Sequence, residues 1–262
     1  CFGEVLYKER VYLQCRSHLF LVIFIGGLCY ALYPVITGVA HQIESRRIIE
    51  GFLHTIPVGL LPEDNGDSDE QDAPKQDHPA YPELLAAMQT YNEQISAEGQ
   101  AGLCDAWAYT QPSFDLTEYG ITEGVIGVLN IPKINLEMPI FLGATYDHMA
   151  SGAAHLSQTS LPIGGVNTNC VIAGHRGWSG APYFLNMDKV EVGDTVTVTN
   201  LWETLVYRVE STKIIAPYDL DKIMIQEGRD MITLFTCHPY ASGGRYRFVV
   251  YCERVTENAP AA

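Results

Sequence analysis

Met231-Ile232-Thr233-Leu234-Phe235-Thr236-Cys237 is an apolar run that ends in a thiol. Met231, Ile232, Leu234 and Phe235 are dense enough in strand-forming side chains to specify a short buried strand. His238-Pro239-Tyr240-Ala241-Ser242-Gly243-Gly244 then breaks the pattern as a loop. A second strand, residues 246–251, returns with Arg247 near its start. Strict alternation places Arg247 on the face of Val249 and Tyr251. That is a costly position for a charge without a purpose, which favours Arg247 over Arg245 as the functional cation. A thiol at the mouth of one strand, facing a guanidinium on the next, is a nucleophile with a built-in anion stabiliser.

Outward from this pair the chain keeps the same texture. From residue 124 onward, short β runs (125–131, 170–173, 195–199, 205–210, 213–216, 231–236 and 247–251) alternate with turns, a pattern that predicts a closed or nearly closed barrel. A thiol is only a few per cent ionised near neutral pH and needs a base. Cys170-Val171-Ile172-Ala173-Gly174-His175-Arg176-Gly177 offers one: an apolar strand runs into a histidine flanked by glycines, which would leave the imidazole exposed at a strand end. The competing reading is that His175 is an ordinary structural or surface histidine, and spacing does not separate the two. His238 is a poor base for Cys237, because adjacent residues of an extended chain point to opposite faces. His155 is better read as structural, and Cys170 and Cys252, both in strand patterns, as small buried apolar residues.

The 262 residues carry 31 acidic against 16 basic side chains, a formal net charge of -15. That excludes a basic nucleic-acid-binding face and a polybasic grip on anionic lipid. Seven cysteines, at 1, 15, 29, 104, 170, 237 and 252, form no CxxC pair or metal-ligand spacing, so neither structural zinc nor another cofactor is expected. Residues 19–39 carry no formal charge and are long enough to cross ~30 Å of hydrocarbon as a helix. They are read as an uncleaved anchor, longer than the apolar core of a signal peptide, with a buried core helix as the alternative. Lys8, Arg10 and Arg16 precede the run and Arg46 and Arg47 follow it, so the charge rule favours an internal N-terminus only weakly. Residues 63–78 are acidic and polar, a solvated linker. Leu84, Leu85, Met88, Tyr91 and Ile95 then recur at helical spacing and predict an amphipathic helix over 82–97.

These residues also carry a family resemblance. Thr233-Leu234-Phe235-Thr236-Cys237 matches the Thr-Leu-x-Thr-Cys signature of the sortase transpeptidases, and Ala173-Gly174-His175-Arg176-Gly177 matches their histidine segment. Gly152-Ala153-Ala154-His155-Leu156, Thr159-Ser160-Leu161-Pro162-Ile163-Gly164-Gly165 and residues 127–143 resemble the pilus-building class C members, and Tyr246-Arg247-Phe248-Val249-Val250 falls where that class has its arginine strand. The resemblance spans roughly residues 85–254.

It implies a mainly β fold: an eight-stranded sortase-type β-barrel with an N-terminal helical segment and lid loop, preceded by a transmembrane helix. The implied division is a cytoplasmic segment over 1–18, an anchor over 19–40 and an acidic extracellular linker over 41–80. A helix and lid over 81–123, a catalytic barrel over 124–255 and a polar tail over 256–262 would follow. Cys237 would attack the Thr–Gly bond of an LPXTG-type sorting signal and form a thioacyl enzyme. His175 would protonate the leaving amine and then deprotonate the incoming one, a pilin lysine, while Arg247 would stabilise the oxyanion. Members of the family are thought to hold the Cys/His pair mostly in its neutral form.

Class C members also carry a lid, usually Asp-Pro-aromatic. Asp105-Ala106-Trp107 stands in the corresponding region, with Ala106 replacing the proline and leaving the loop less stiff. The expectation is that Asp105 pairs with Arg247 and Trp107 packs over Cys237; the alternative is an ordinary loop. The implied partners are LPXTG-bearing pilins or surface proteins and a lysine-bearing acceptor, outside a Gram-positive membrane. Two other readings compete: a housekeeping sortase that joins surface proteins to peptidoglycan, and a non-enzymatic anchored surface domain in which Cys237 is merely buried.

Overall fold

The computed structural model describes residues 2–56, 80–178 and 180–255, with side chains from residue 18 onward apart from residue 19. The acidic stretch 63–78 and the tail 256–262 lie outside the described residues. The chain separates into two compact units, one dominated by residues 1–42 and one by 43–178 and 182–262.

The first unit holds most of helix α1 (Phe2–His54), whose last residues, from Ile43, belong to the second. The helix contains a segment long and apolar enough to cross a membrane, Phe20–His54, whose most apolar stretch has a mean hydropathy of 2.1 and is not buried. Phe20, Ile25 and Leu28 stand exposed along it, as a lipid-facing helix requires. The helix continues into the stretch expected to begin the linker at 41, and Ile49 and Phe52 near its end are buried.

The second unit holds α2 (Pro82–Glu98), α3 (Tyr146–Ser151) and a closed barrel. The strands in chain order are β1 (Val125–Ile131), β2 (Leu136–Phe141), β3 (Ala153–His155), β4 (Thr168–Ala173), β5 (Arg176–Trp178), β6 (Ala181–Tyr183), β7 (Thr195–Thr199), β8 (Thr204–Ile215), β9 (Asp230–His238) and β10 (Tyr246–Arg254). Eight close in the order β1-β2-β3-β4-β9-β10-β8-β7, while β5 and β6 form a separate two-stranded ribbon. Closure removes the unpaired edges that an open sheet would leave.

The amphipathic helix forms as its spacing predicts. Leu84, Met88 and Ile95 are buried, and Asn92 between them is buried too, exchanging two hydrogen bonds with the backbone of Leu161 (Oδ1 to N 2.7 Å, Nδ2 to O 3.2 Å). The two runs expected at 205–210 and 213–216 are one twelve-residue strand, β8. The register against β10 slips between Tyr251 and Cys252, so a bulge absorbs the break in alternation that looked like a strand end.

The central strand is β9. It pairs parallel with β4 from Thr168↔Asp230 to Ala173↔Phe235, and antiparallel with β10. Phe235, Val249 and Tyr251 face a core shared with Met149, Leu156, Val171 and Met231. Phe235 and Val249 are fully buried there. Two threonine hydroxyls lock β9 to the β4 side: Thr233 Oγ1 donates to Asn169 Oδ1 at 2.8 Å and Thr236 Oγ1 to the Gly174 carbonyl at 2.7 Å. Each is a buried hydroxyl with its partner in place, the only condition under which such a group is cheap to bury.

Candidate active site

Cys237 and Arg247 are direct register partners across β9 and β10, so their side chains leave the sheet on one face. The Arg247 Nη1 lies 3.7 Å from the Cys237 Sγ. His175 arrives from the end of β4, two residues beyond Ala173. The Gly174 N–H donates to the Phe235 carbonyl (3.1 Å), while Thr236 caps the Gly174 carbonyl. The histidine segment is therefore pinned to the cysteine strand on both sides of one glycine. A Cβ on Gly174 would meet the Phe184 ring at 2.9 Å, so close packing requires glycine there. All three side chains line one cleft of about 490 Å³, together with Trp107, Trp178 and Tyr240.

Arg247 is 5% exposed, whereas Arg245 is exposed. Its guanidinium is fully engaged. Nε and Nη2 each donate to an Asp105 carboxylate oxygen at 2.7 Å, and Nη1 donates to the Gly244 carbonyl at 2.6 Å. The fork-to-fork pair is the geometry that arginine offers a carboxylate. Asp105 also accepts from the Trp107 N–H and so starts the short 3-10 turn Ala106–Ala108. That turn sets Trp107 over the arginine, with the guanidinium carbon 4.4 Å from the ring centroid. The pairing of Asp105 with Arg247 is as expected. Trp107 lines the same cleft as Cys237, and its ring packs on Arg247, His175 (6.0 Å) and Phe235 (6.1 Å).

His175 is 6% exposed, not open at a strand end as the glycines suggested. Trp178 stacks on its ring (centroids 4.5 Å apart, planes at 13°) and Trp107 meets it edge-on. Its imidazole makes no hydrogen bond to any described residue, so aromatic packing alone orients it. Burial lowers its pKa, and burial raises that of Cys237 to about 11. Arg247 and Arg176 pull the thiol down and Asp105 pushes it up. Both members of the pair therefore rest neutral at pH 7.

Three contributors were not legible as such. Gly244 adopts φ +75°, and a Cβ there would sit 3.0 Å from Arg247 Nη1 and 3.2 Å from Cys237 Sγ. The Gly-Gly pair signalled a turn but not this close approach. Trp178 gave no signal, because its value lies in stacking on a residue three positions earlier. Arg176 looked like part of a motif and is in fact a buried cation, paired with Asp188 at 3.1 Å. His238 faces away from the thiol, as alternation required, and accepts from Arg176 at Nδ1 (2.7 Å). His155 is fully buried, with Nε2 3.1 Å from the carbonyls of Thr159 and Ser160. Cys170 and Cys252 are buried free thiols. Among the described residues no group of three or more His, Cys, Asp or Glu side chains is placed to hold a metal.

Residues 129–255 match the sortase domain. Among solved structures, Group B Streptococcus Pilus Island 1 sortase C2 superposes with a TM-score of 0.61 at 35% identity, over 67% of this chain and 97% of that one. The chain belongs to the sortase family. Sortase C-1 of Actinomyces oris gives a TM-score of 0.60 at 32% identity, over 68% of this sortase and 99% of that chain. Among curated relatives, Sortase D of Bacillus subtilis is 31% identical over 132 residues, half of this sortase and 64% of the relative. Sortase A of Bacillus anthracis is 28% identical over 43% of this sortase and 52% of its own length. The sortase thus spans about half to two thirds of the curated relatives it matches.

Proposed function

We propose that this sortase is a membrane-anchored cysteine transpeptidase that cleaves an LPXTG-type sorting signal between Thr and Gly and transfers the acyl group to a pilin lysine. The observation that carries the reading is the meeting in one cleft of His175 with Cys237 and Arg247, which face each other across the β9–β10 hairpin 62 or more residues further along the chain. Similarity to sortases from pilus islands supports the pilin acceptor.

The chemistry follows from the resting charges. Because both groups rest neutral, His175 takes the thiol proton as the Cys237 sulfur attacks the threonine carbonyl carbon. The new C–S bond leaves a negative oxygen, for which Arg247 supplies N–H donors. Collapse breaks the C–N bond, and the imidazolium returns its proton to the departing glycine amine. The neutral lysine amine then attacks the thioester and gives its proton to His175. The C–S bond breaks, and the imidazolium passes that proton to the departing sulfur, restoring the thiol and the neutral imidazole.

In the lid-closed arrangement Asp105 holds the Nε and Nη2 donors of Arg247, and Trp107 covers the imidazole. Substrate entry therefore requires the Asp105–Trp107 lid to move. The division of the chain into an anchor over 19–40, a helix and lid over 81–123 and a catalytic barrel over 124–255, facing the cell exterior, completes the reading.

Incubating the full chain in detergent with an LPXTG peptide, a lysine-bearing pilin fragment and a peptidoglycan-type peptide tests it. The expected product is an isopeptide bond to the pilin lysine. Transfer only to the peptidoglycan peptide favours the housekeeping reading, and no cleavage with either acceptor overturns the transpeptidase.

A further inference from the structure

The residue that follows His175 and the residue that follows Cys237 hold each other. Arg176 Nη1 donates to His238 Nδ1 at 2.7 Å, Arg176 Nη2 reaches Asp188 at 3.1 Å, and the guanidinium lies 5.9 Å from the Phe248 ring. His238 leans on the same ring, with centroids 5.9 Å apart. Arg176 is 8% exposed, a buried cation at the start of the β5–β6 ribbon that lines the same cleft as the reacting pair, and the proposed reaction gives it no step. A guanidinium cannot lose its proton, so Nδ1 must be the acceptor and His238 carries its proton on Nε2.

We propose that Arg176 and His238 are positioning residues that fix the separation between the Cys237 sulfur and the His175 imidazole. Three features of the geometry lead there. The imidazole of His175 makes no hydrogen bond to the described residues, so nothing polar on the ring itself sets its distance from the sulfur. Thr236 and Gly174 pin the two segments on the side before the reacting residues. The Arg176–His238 bond pins them on the side after, so each reacting residue is bracketed by a cross-link. Proton transfer between sulfur and nitrogen is sensitive to such a distance, since a displacement of about 1 Å can cost roughly 10²-fold in rate.

The inference rests on the transpeptidase reading for its rate assay, and a substrate-free assay separates the two. His238→Leu keeps apolar contact with Phe248 and removes the acceptor; His238→Gln restores one. In peptide acylation by the full chain, His238→Leu is expected to lower kcat roughly tenfold or more with KM within about twofold, and His238→Gln to recover most of the loss. Alkylation of Cys237 by iodoacetamide needs no peptide. There, His175→Ala should change the rate several-fold in the wild-type background and hardly at all in His238→Leu. Should the wild type fail to acylate, the transpeptidase reading falls and the alkylation cycle still judges the clasp. Equal effects of His175→Ala in both backgrounds overturn the clasp. So does a His238→Leu loss that tracks a falling Tm and is not rescued by His238→Gln.

Discussion

His155 and His175 lie at the ends of neighbouring strands, and the two ends have been built to opposite purposes. His155, on β3, is fully buried and its Nε2 faces two backbone carbonyls. Its ring closes a turn by donating a proton it never gives up, and burial drops its pKa to about 4. His175, just past β4, is nearly as inaccessible but touches only aromatic rings and the cleft. Neither ring nitrogen is hydrogen-bonded to a described residue, so one is free to accept a proton from the cleft, which a base requires. Burial alone does not distinguish a structural histidine from a working one; the partners of its nitrogens do.

The largest effect expected from this contrast is on turnover. His175→Asn should cut acylation by about 10²–10⁴-fold with an unchanged melting temperature. His155→Asn should leave turnover of the folded protein unchanged and cost roughly 1–3 kcal/mol of stability, because the turn carbonyls lose their donor. Activity measured beside thermal melts for the pair checks this, and a matching pattern in the two variants would erase the distinction.

The next effect is acid sensitivity. The folded pKa of His155 lies below its ordinary 6.5, at about 4. The unfolded chain therefore binds the extra proton first as pH falls. Stability is full above about pH 6.5 and declines towards pH 4, by roughly 3 kcal/mol. Denaturant midpoints across that window should flatten in His155→Asn.

A smaller change belongs to the lid. Asp105→Asn removes a charge that pushes the Cys237 thiol up and leaves the Arg247 guanidinium, which pulls it down, without its carboxylate counter-charge. The pH midpoint of Cys237 alkylation should fall below about 11, with several-fold faster labelling at neutral pH. Smallest is Trp178→Ala. Water then reaches the His175 ring, its pKa rises towards the ordinary value, and the acid limb of the rate profile moves to higher pH.

Much of this was legible in the chain. A run of β-formers ending at Cys237, and alternation on the strand of Arg247, carry their faces in one dimension, so the pair could be read directly. The barrel and α2 were legible from period and turn spacing, and the β8 bulge was not, because a slipped register imitates a turn. What escaped is whatever depends on a third dimension: Trp178 stacked on His175, Gly244 tucked against a sulfur, and Arg176 reaching a histidine 62 positions away. The exposed imidazole was misjudged for the same reason, since two tryptophans from separate segments cover it.

Intact-mass measurement of the full chain after exposure to an LPXTG peptide tests the central claim most directly. A thioester adduct should form on Cys237, disappear in Cys237→Ala, be suppressed in His175→Ala and persist in His155→Asn. An unmodified Cys237, or an adduct that forms equally well without the His175 imidazole, would contradict the account.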